Sequence, residues 1–307
     1  MVEFKQILCP VDLSDLSLSP VTYAAALARR HAAHLTLLHV VPTFDPVPVR
    51  PSTLGETMQY VYPESRDEVL ERLNRVLDTA EAAPAEVTCV ADAGDTVQRI
   101  VDHALSLRAD LVVIGTHGRS GFERFMIGST AERVLQKAPC PVLTVPPSVL
   151  ATRAADVQFQ RVLCAVDFSP SSLQAFGFAL ALARHDEGAV TVLHAIEWLA
   201  EDEPRTLAHF NVPEYRQHLV GEGRERVRAL MADARPHGRA IEEVVLLGKP
   251  HREILRRATE WPADLIVMGA QGRGGLGLAL FGSTTQQVLR AAQCPVLTVR
   301  LADPRLT

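Results

Sequence analysis

The sequence predicts two tandem α/β domains, each a doubly wound parallel sheet of five strands with helices on both faces. Apolar runs of strand length alternate with longer amphipathic runs of helix length, which is typical of βαβ units. The strand candidates are apolar throughout, as expected for parallel strands buried on both faces. The pattern occurs twice within 307 residues, the length of two ordinary domains.

An internal repeat defines the domain organisation. Asp110–Val145 matches Asp264–Val299 without a gap, with about half of the positions identical. A repeat of this length is a duplicated domain rather than a small solenoid unit. The proline-containing and polar segment Pro146–Gln158 separates the copies, so the predicted domains are residues 1–147 and 158–303.

The elements follow one order in both copies. The strand candidates of the first copy are Gln6–Val11, Leu35–Val41, Glu86–Val90, Leu111–Ile114 and Pro141–Val145. The helix candidates between them are Ser19–His31, Glu64–Ala82, Asp95–Leu107 and Ser129–Lys137. The strand candidates of the second copy are Arg161–Val166, Ala189–His194, Ile241–Leu247, Leu265–Met268 and Pro295–Val299. Residues 42–63 and 197–213 each follow a second strand and predict excursions over one end of the sheet.

Composition narrows the class of partner and the compartment. The formal net charge of −5 argues against a nucleic-acid-binding protein, because no overall basic field is present. No apolar run reaches the length of a membrane span, and the first residues lack the pattern of a signal peptide. We therefore expect a cytoplasmic protein with neither a nucleic-acid nor a membrane partner. The five cysteines form no Cys-x-x-Cys pair and are interpreted as core residues.

The candidate site lies where strands end, since doubly wound sheets bind ligands beyond the carboxyl ends of their strands. The first strand of each copy ends at Asp12 or Asp167, which could cap the next helix or contact a base or ribose. The fourth strand continues as Gly115-x-x-Gly118, nine residues, and then Gly128-Ser129-Thr130 before a helix. Glycines allow close backbone approach, and a helix N-terminus with hydroxyls binds phosphate.

The second copy repeats this spacing. It reads Gly269-x-x-Gly272, nine residues, and then Gly282-Ser283-Thr284, and Arg119 and Arg273 could add positive charge in their respective copies. Taken singly, these residues could serve only to turn the chain and cap helices. The same spacing in both copies, at the same end of the same strand, favours phosphate binding.

These motifs resemble those of the universal stress protein family of the ATP-binding type, in its tandem form. The resemblance also covers Leu-Cys-Pro-Val-Asp12 and Cys140-Pro-Val-Leu-Thr-Val, and it extends over nearly the whole chain. It implies Rossmann-like domains related by a pseudo-twofold axis, last strands that pair between the domains, and one ATP per domain. Mg²⁺ is a candidate companion of the phosphates. Dimerisation of whole chains is left open.

The resemblance also implies the residues that hold the nucleotide. Adenine would lie near the ends of the first two strands, ribose beside the aspartate and the first glycine, and phosphates on the residues that follow. In the first copy these residues are Pro10, Val11, Asp12, Val40 or Val41, Gly115, Thr116, Gly118, Arg119, Gly128, Ser129 and Thr130. In the second copy they are Ala165, Val166, Asp167, Ala195 or Ile196, Gly269, Ala270, Gly272, Arg273, Gly282, Ser283 and Thr284.

Three functions remain open at this point. The preferred hypothesis is a stress-response module that binds ATP without an evident catalytic group. The alternatives are a slow Mg²⁺-dependent ATPase or phosphotransferase using Asp12 or His117, and a partner-binding scaffold with vestigial sites. His39 and His194 recur near strand ends, and they could either contact nucleotide or serve the fold. Because the copies differ in their loops, we expect the first site to bind ATP at least as tightly as the second.

Overall fold

A computed structural model describes residues 3–42, 65–80, 86–116, 127–149, 155, 157–185, 188–197, 212–232, 241–272 and 281–301. The strands of the first half are β1 (Gln6–Pro10), β2 (His34–Pro42), β3 (Val87–Gly94), β4 (Leu111–Gly115) and β5 (Val142–Val145). The helices are α1 (Leu18–His31), α2 (Arg66–Thr79), α3 (Thr96–Ser106) and α4 (Ser129–Lys137). A short 3-10 helix, Asp15–Ser17, precedes α1.

The second half repeats this order. Its strands are β6 (Arg161–Ala165), β7 (Ala189–Ile196), β8 (Ile241–Leu247), β9 (Leu265–Gly269) and β10 (Val296–Val299). Its helices are α5 (Pro170–His185), α6 (Val212–Ala232), α7 (Pro250–Glu260) and α8 (Ser283–Ala291). All ten predicted strands are confirmed, although the predicted third strand stops four residues short of the end of β3.

The ten strands form one sheet in the order β3-β2-β1-β4-β5-β10-β9-β6-β7-β8. Within each half every strand pair is parallel, with β1 lying between β2 and β4. The chain therefore moves outward from β1 to β3 and then crosses back to β4. This reversal makes the gap between β1 and β4 the switch point of the first half, and β6 and β9 are its equivalents in the second.

The two halves join through their last strands. β5 and β10 pair antiparallel, with Leu143 opposite Leu297, which confirms the predicted pairing of last strands. The Thr144 hydroxyl also donates to the Val296 carbonyl at 3.2 Å across this seam. β5 and β10 would each be the exposed edge strand of their own half. Their pairing covers both edges, which would otherwise face solvent.

Two layers of apolar side chains cover the two faces of the sheet. The face under α1, α2, α5 and α6 includes Ile7, Leu35, Leu143 and Leu297, and so extends continuously across both halves. The opposite face, under α3, α4, α7 and α8, includes Leu8 and Ile266. The alternation of neighbouring residues such as Ile7 and Leu8 between faces follows from the two-residue period of a strand.

The cysteines belong to this packing. Cys9 and Cys164 are fully buried on the first and sixth strands. Burial raises the pKa of both thiols above the ordinary range, and it raises the pKa of Cys140 and of Cys294 to about 12. Because the thiolate is the reactive form, these four thiols behave as small apolar groups.

Among the residues that the structure describes, no helix has both the length and the apolar character needed to cross a bilayer.

Candidate functional site

The turn after β1 holds Asp12 in one orientation. Its Oδ1 atom accepts hydrogen bonds from the Ser14 N–H at 3.1 Å, the Ser14 hydroxyl at 2.7 Å and the Ser17 hydroxyl at 2.5 Å. The N-cap residue of α1 is Ser17, so Asp12 orders the turn rather than capping that helix. The same holds for Asp167, whose Oδ1 accepts from the N–H of Ser169 at 3.0 Å and from its hydroxyl at 2.6 Å.

The residue after each aspartate has a left-handed backbone. Leu13 has φ of 59° and Phe168 has φ of 63°, a region that non-glycine residues rarely adopt. The unfavourable conformation recurs at the same position in both copies. Backbone strain of this kind persists only where the surrounding structure holds it in place against its energetic cost, and it is found most often at ligand sites.

The end of β4 is fastened to the start of α4. The Thr116 N–H donates to the Val145 carbonyl at 3.1 Å, and the Gly128 N–H donates to the Thr116 carbonyl at 2.7 Å. Gly128 is the N-cap residue of α4 and Ser129 is its first helical residue, so Ser129 is not the cap. The N-cap has no side chain to occupy the first N–H groups of α4, and these are groups that attract anions.

A cavity of about 640 Å³ opens at this edge of the first domain. Nine of the predicted residues line it: Pro10, Val11, Asp12, Val40, Gly115, Thr116, Gly128, Ser129 and Thr130. Of the alternatives on β2, Val40 lines the cavity, and Val41 packs against the core on the other face of the sheet. Gly118 and Arg119 lie outside the described residues, as do His117 and, in the second domain, Arg273.

The chemical character of the cavity changes from one side to the other. On the β2 side the lining is mostly apolar, with Leu38, Val40 and Pro42 from that strand and Ile100 from α3, and its polar members are His39 and Thr96. On the β4 side it is lined by three hydroxyl-bearing residues, Thr116, Ser129 and Thr130. Asp12 lies between the two at the end of β1. An elongated ligand with an apolar ring at one end and an anion at the other fits this arrangement.

Several lining residues were missed by sequence reasoning. They are Leu16, Ser17, Pro20, Leu38, Pro42, Thr96, Ile100, Ile114 and Ala131. Thr96 and Ile100 could have been found, because α3 begins at the same sheet edge as the predicted site and Ile100 is on its apolar face. Of the others, Leu16 and Ser17 belong to the 3-10 turn before α1, Pro42 ends β2, and the rest lie within elements whose ends alone carried the motifs.

The recurring histidines are held by the chain itself. His39 and His194 are buried, and their Nδ1 atoms lie 2.6 Å from the Val11 carbonyl and 2.8 Å from the Val166 carbonyl. A carbonyl only accepts, so Nδ1 carries the proton in each ring. Both histidines therefore tie their second strand to the turn after the first, and His39 also lines the cavity.

Within the described part of the chain, no group of three or more His, Cys, Asp or Glu side chains is arranged to hold a metal ion.

The matching region of the second domain is packed differently. Gly269 is buried, whereas its counterpart Gly115 is partly exposed, and Ala270 and its counterpart Thr116 are both buried. The Ser171 hydroxyl donates to the Gln271 carbonyl at 2.6 Å. The Thr285 hydroxyl donates to the Gly269 carbonyl at 2.9 Å.

The remaining predicted residues of the second domain keep the places of their counterparts. Ala165 ends β6, and Val166 and Asp167 follow it. Ala195 and Ile196 end β7, and Gly272 follows β9. Gly282 is the N-cap of α8, and Ser283 and Thr284 are its first residues. A Cβ atom at Gly272 would lie 2.9 Å from Asp167 Oδ2, so the aspartate and the loop are in contact.

The fold and the site define a class: a tandem pair of doubly wound α/β domains with a ligand-sized cavity at the switch point of the first. The model of the universal stress protein family matches residues 3–146 and 158–300. The chain therefore belongs to the universal stress protein family.

Relatives and solved structures agree with this membership. Universal stress protein Rv2623 of Mycobacterium tuberculosis is 28% identical over 308 residues, with 96% of each chain covered. Universal stress protein MJ0531 of Methanocaldococcus jannaschii is 32% identical over 142 residues, which are 46% of this chain and 82% of that protein. The crystal structure of a universal stress protein from Archaeoglobus fulgidus shares the fold at a TM-score of 0.66 and 22% identity, covering 96% of this chain and 98% of that one.

Proposed function

We propose that this chain is an ATP-binding stress-response protein of the cytoplasm, and that the cavity of its first domain holds the nucleotide. The observation that carries the proposal is the cavity between β1, β4 and α4, which is mostly apolar toward β2 and is lined by hydroxyl-bearing residues toward α4. A purine suits the apolar side, because the faces of its flat ring are apolar and its polar edge atoms would turn toward backbone groups at the strand ends. A phosphate chain suits the start of α4.

Each part of the nucleotide has a proposed partner. Val40 and Ile100 would contact the faces of the adenine ring. The Asp12 carboxylate, already oriented by Ser14 and Ser17, would accept a hydrogen bond from a ribose hydroxyl. The N–H groups at the start of α4 and the hydroxyls of Ser129 and Thr130 would bind the phosphates, with Gly118 and Arg119 completing the site.

We propose binding rather than rapid hydrolysis. Among the described residues that line the cavity, Asp12 is the only carboxylate, and its Oδ1 atom accepts three hydrogen bonds. A general base needs a proton acceptor directed at the attacking water, and the three bonds to Oδ1 instead fix the orientation of this carboxylate toward the turn that contains Ser14 and Ser17. Occupancy by ATP would then act as the signal, and any turnover with Mg²⁺ would be slow.

Thr130→Glu tests the proposal on the full chain. A carboxylate in the first turn of α4 stabilises the helix but repels phosphate, so ATP binding should weaken by at least about tenfold while the melting temperature does not fall. The measurement is calorimetric titration with ATP, with ADP and cAMP as competing ligands. Gln98→Glu adds the same charge in the first turn of α3, outside the cavity lining, and should bind ATP normally.

Two outcomes would contradict the proposal. One is a wild-type chain that neither carries nucleotide after purification nor binds ATP at millimolar concentration. The other is a Thr130→Glu variant that binds ATP as tightly as the wild type.

A further inference from the structure

We propose that the second copy of the site is closed by its own side chains, so that the full chain holds one nucleotide. Residues at two pairs of matching positions, Leu16 and Ser171, and Ala131 and Thr285, decide which copy is open. The inference rests on the proposed function of the first cavity. It goes beyond that function by naming the residues that set occupancy, and it replaces the expectation of one ATP per domain.

The first closing residue is Ser171, which is only 4% exposed. Its hydroxyl donates to the Gln271 carbonyl at 2.6 Å, and the Ser169 hydroxyl reaches the same carbonyl at 3.2 Å. A Cβ atom placed on Gly269 would lie only 2.6 Å from the Ser171 Oγ atom. The space above the end of β9 is therefore already filled. In the first domain the matching residue, Leu16, is 38% exposed and stands at the wall of the cavity.

A difference in where the helices begin explains why Ser171 reaches this place. α5 begins at Pro170, which matches Asp15 of the first domain. α1 begins three residues after Asp15, at Leu18, and the 3-10 turn Asp15–Ser17 precedes it. Proline at the first helical position has its φ angle preset for a helix. The matching residue in the first domain is Asp15, which lacks this restraint. The additional turn at the start of α5 carries Ser171 over the end of β9.

The second closing residue is Thr285. In the first domain its counterpart, Ala131, lines the cavity and has only a methyl group to offer. Thr285 adds a hydroxyl at the same position of α8, and this hydroxyl donates to the Gly269 carbonyl at 2.9 Å. Because Thr285 is buried and its hydroxyl is satisfied within the protein, a ligand would have to displace a bonded group rather than water.

The two closures act on the same part of the site. Ser171 and Thr285 both contact the end of β9 around Gly269, whose counterpart Gly115 borders the first cavity. Nucleotide binding at the second copy would require both hydrogen bonds to break and the start of α5 to withdraw. We expect ATP affinity there to be weaker than at the first copy by on the order of 100-fold.

The decisive measurement is the number of ATP molecules bound per full chain by equilibrium dialysis, at an ATP concentration about tenfold above the first dissociation constant. One ATP per chain is expected. Two per chain, with similar affinities, would overturn this inference and leave the proposed function intact. None would overturn the proposed function itself, so the two failures are distinguishable.

Exchange of the deciding residues tests them individually. Ala131→Thr in the first domain should weaken ATP binding about tenfold or more, because the new hydroxyl can bond to the Gly115 carbonyl as Thr285 bonds to that of Gly269. Ala131→Ser adds the hydroxyl without the methyl group. It therefore separates the effect of a bond to the Gly115 carbonyl from the effect of filling space in the cavity. Unchanged affinity in Ala131→Thr would count against the assignment.

The opposite exchange should open the second copy. In a Thr130→Glu chain, whose first site is blocked, the changes Pro170→Asp, Ser171→Leu and Thr285→Ala transfer the residues of the first domain to the second. Such a chain should bind one ATP, and Thr130→Glu alone should bind none at the same concentration. A chain with all four changes that keeps its circular dichroism and melting temperature but binds no ATP would refute the role of these positions.

Discussion

At the scale of single residues, the proposed first site contains a carboxylate that its own turn orients before any ligand arrives. Asp12 is held by three hydrogen bonds in a turn whose next residue, Leu13, has a left-handed backbone. A carboxylate that is already oriented loses little freedom on binding, and this lowers the cost of recognition. The sequence predicted Asp12 from its position after an apolar strand, but not the serines that orient it.

Asp12→Asn should therefore weaken ATP binding by about tenfold, because a neutral amide accepts a ribose hydroxyl less strongly than a carboxylate does. The melting temperature should change little, since the amide oxygen can still accept the bonds from Ser14. Calorimetric titration measures the effect. Asp95→Asn is the matched control, because asparagine caps a helix as well as aspartate and Asp95 caps α3 outside the cavity. Equal losses in both variants would contradict the ribose contact.

A second residue-scale prediction concerns Asp264. Burial raises the pKa of its carboxyl to about 6, although the N–H groups of Gln160 and Arg161 donate to it. The folded state holds this proton more tightly than the unfolded state, so protonation of Asp264 stabilises the fold. This contribution to the free energy of unfolding is complete below the unfolded pKa, and it is lost as the pH rises through the folded pKa of about 6.

Asp264→Asn should remove this dependence, since an amide does not titrate and its oxygen still accepts a backbone hydrogen bond. The free energy of unfolding of the variant, relative to that of the wild type, should rise between about pH 4 and pH 6 and stay constant above pH 7. Urea unfolding at a series of pH values measures the difference. A difference that is flat across this range would mean that Asp264 titrates normally.

At the scale of elements, helix boundaries rather than strand positions distinguish the two domains. α4 begins and ends where the sequence predicted, because Gly128 precedes it and the apolar stripe is regular. The early start of α5 at Pro170 was not predicted, since a Ser-Pro-Ser sequence is compatible with a turn as well as with a helix start. Pro170 favours the helix start, and the first turn of α5 also packs against the end of β9, which is remote in sequence.

The end of α3 offers a test at this scale. Arg108 follows the last turn with φ of 50° and is exposed, so its side chain makes the left-handed conformation costly without gaining burial. Arg108→Gly should stabilise the protein by about 0.5–1 kcal/mol in chemical denaturation. Arg108→Ala removes the same side chain but keeps the Cβ atom, so it should give no such gain. Equal effects of the two changes would show that charge, not backbone conformation, matters there.

At the scale of the whole molecule, the antiparallel pair β5 and β10 unites the domains. Gln286 of α8 donates to Glu132 of α4 at 2.7 Å, and the Arg300 guanidinium donates to the Gln136 carbonyl at the end of α4. The buried layer that includes Leu143 and Leu297 continues across the seam. The two halves therefore share a core, and we expect them to unfold together.

Leu143→Ala tests this continuity. The change leaves a hole in the shared core and should cost about 2–5 kcal/mol, lowering the melting temperature of one cooperative calorimetric transition. Leu105→Ala is the control, because Leu105 is largely exposed and its truncation should cost little. Two separate transitions, of which only one moves in Leu143→Ala, would indicate independently stable domains.

The sequence by itself determined the duplicated α/β fold, the pairing of the last strands implied by the family resemblance, and the strand ends at which a ligand site could form. The fold and the strand ends follow from short-range patterns, namely apolar runs, helix periodicity and glycine spacing, that each copy contains within itself, whereas the strand pairing follows from the resemblance alone. Only the tertiary structure decided which side chains from within the elements surround the first cavity, and that Ser171 and Thr285 contact the end of β9 in the second domain. The physical reason is that open space depends on how closely elements distant in the chain approach one another, and two copies of one motif do not encode that distance.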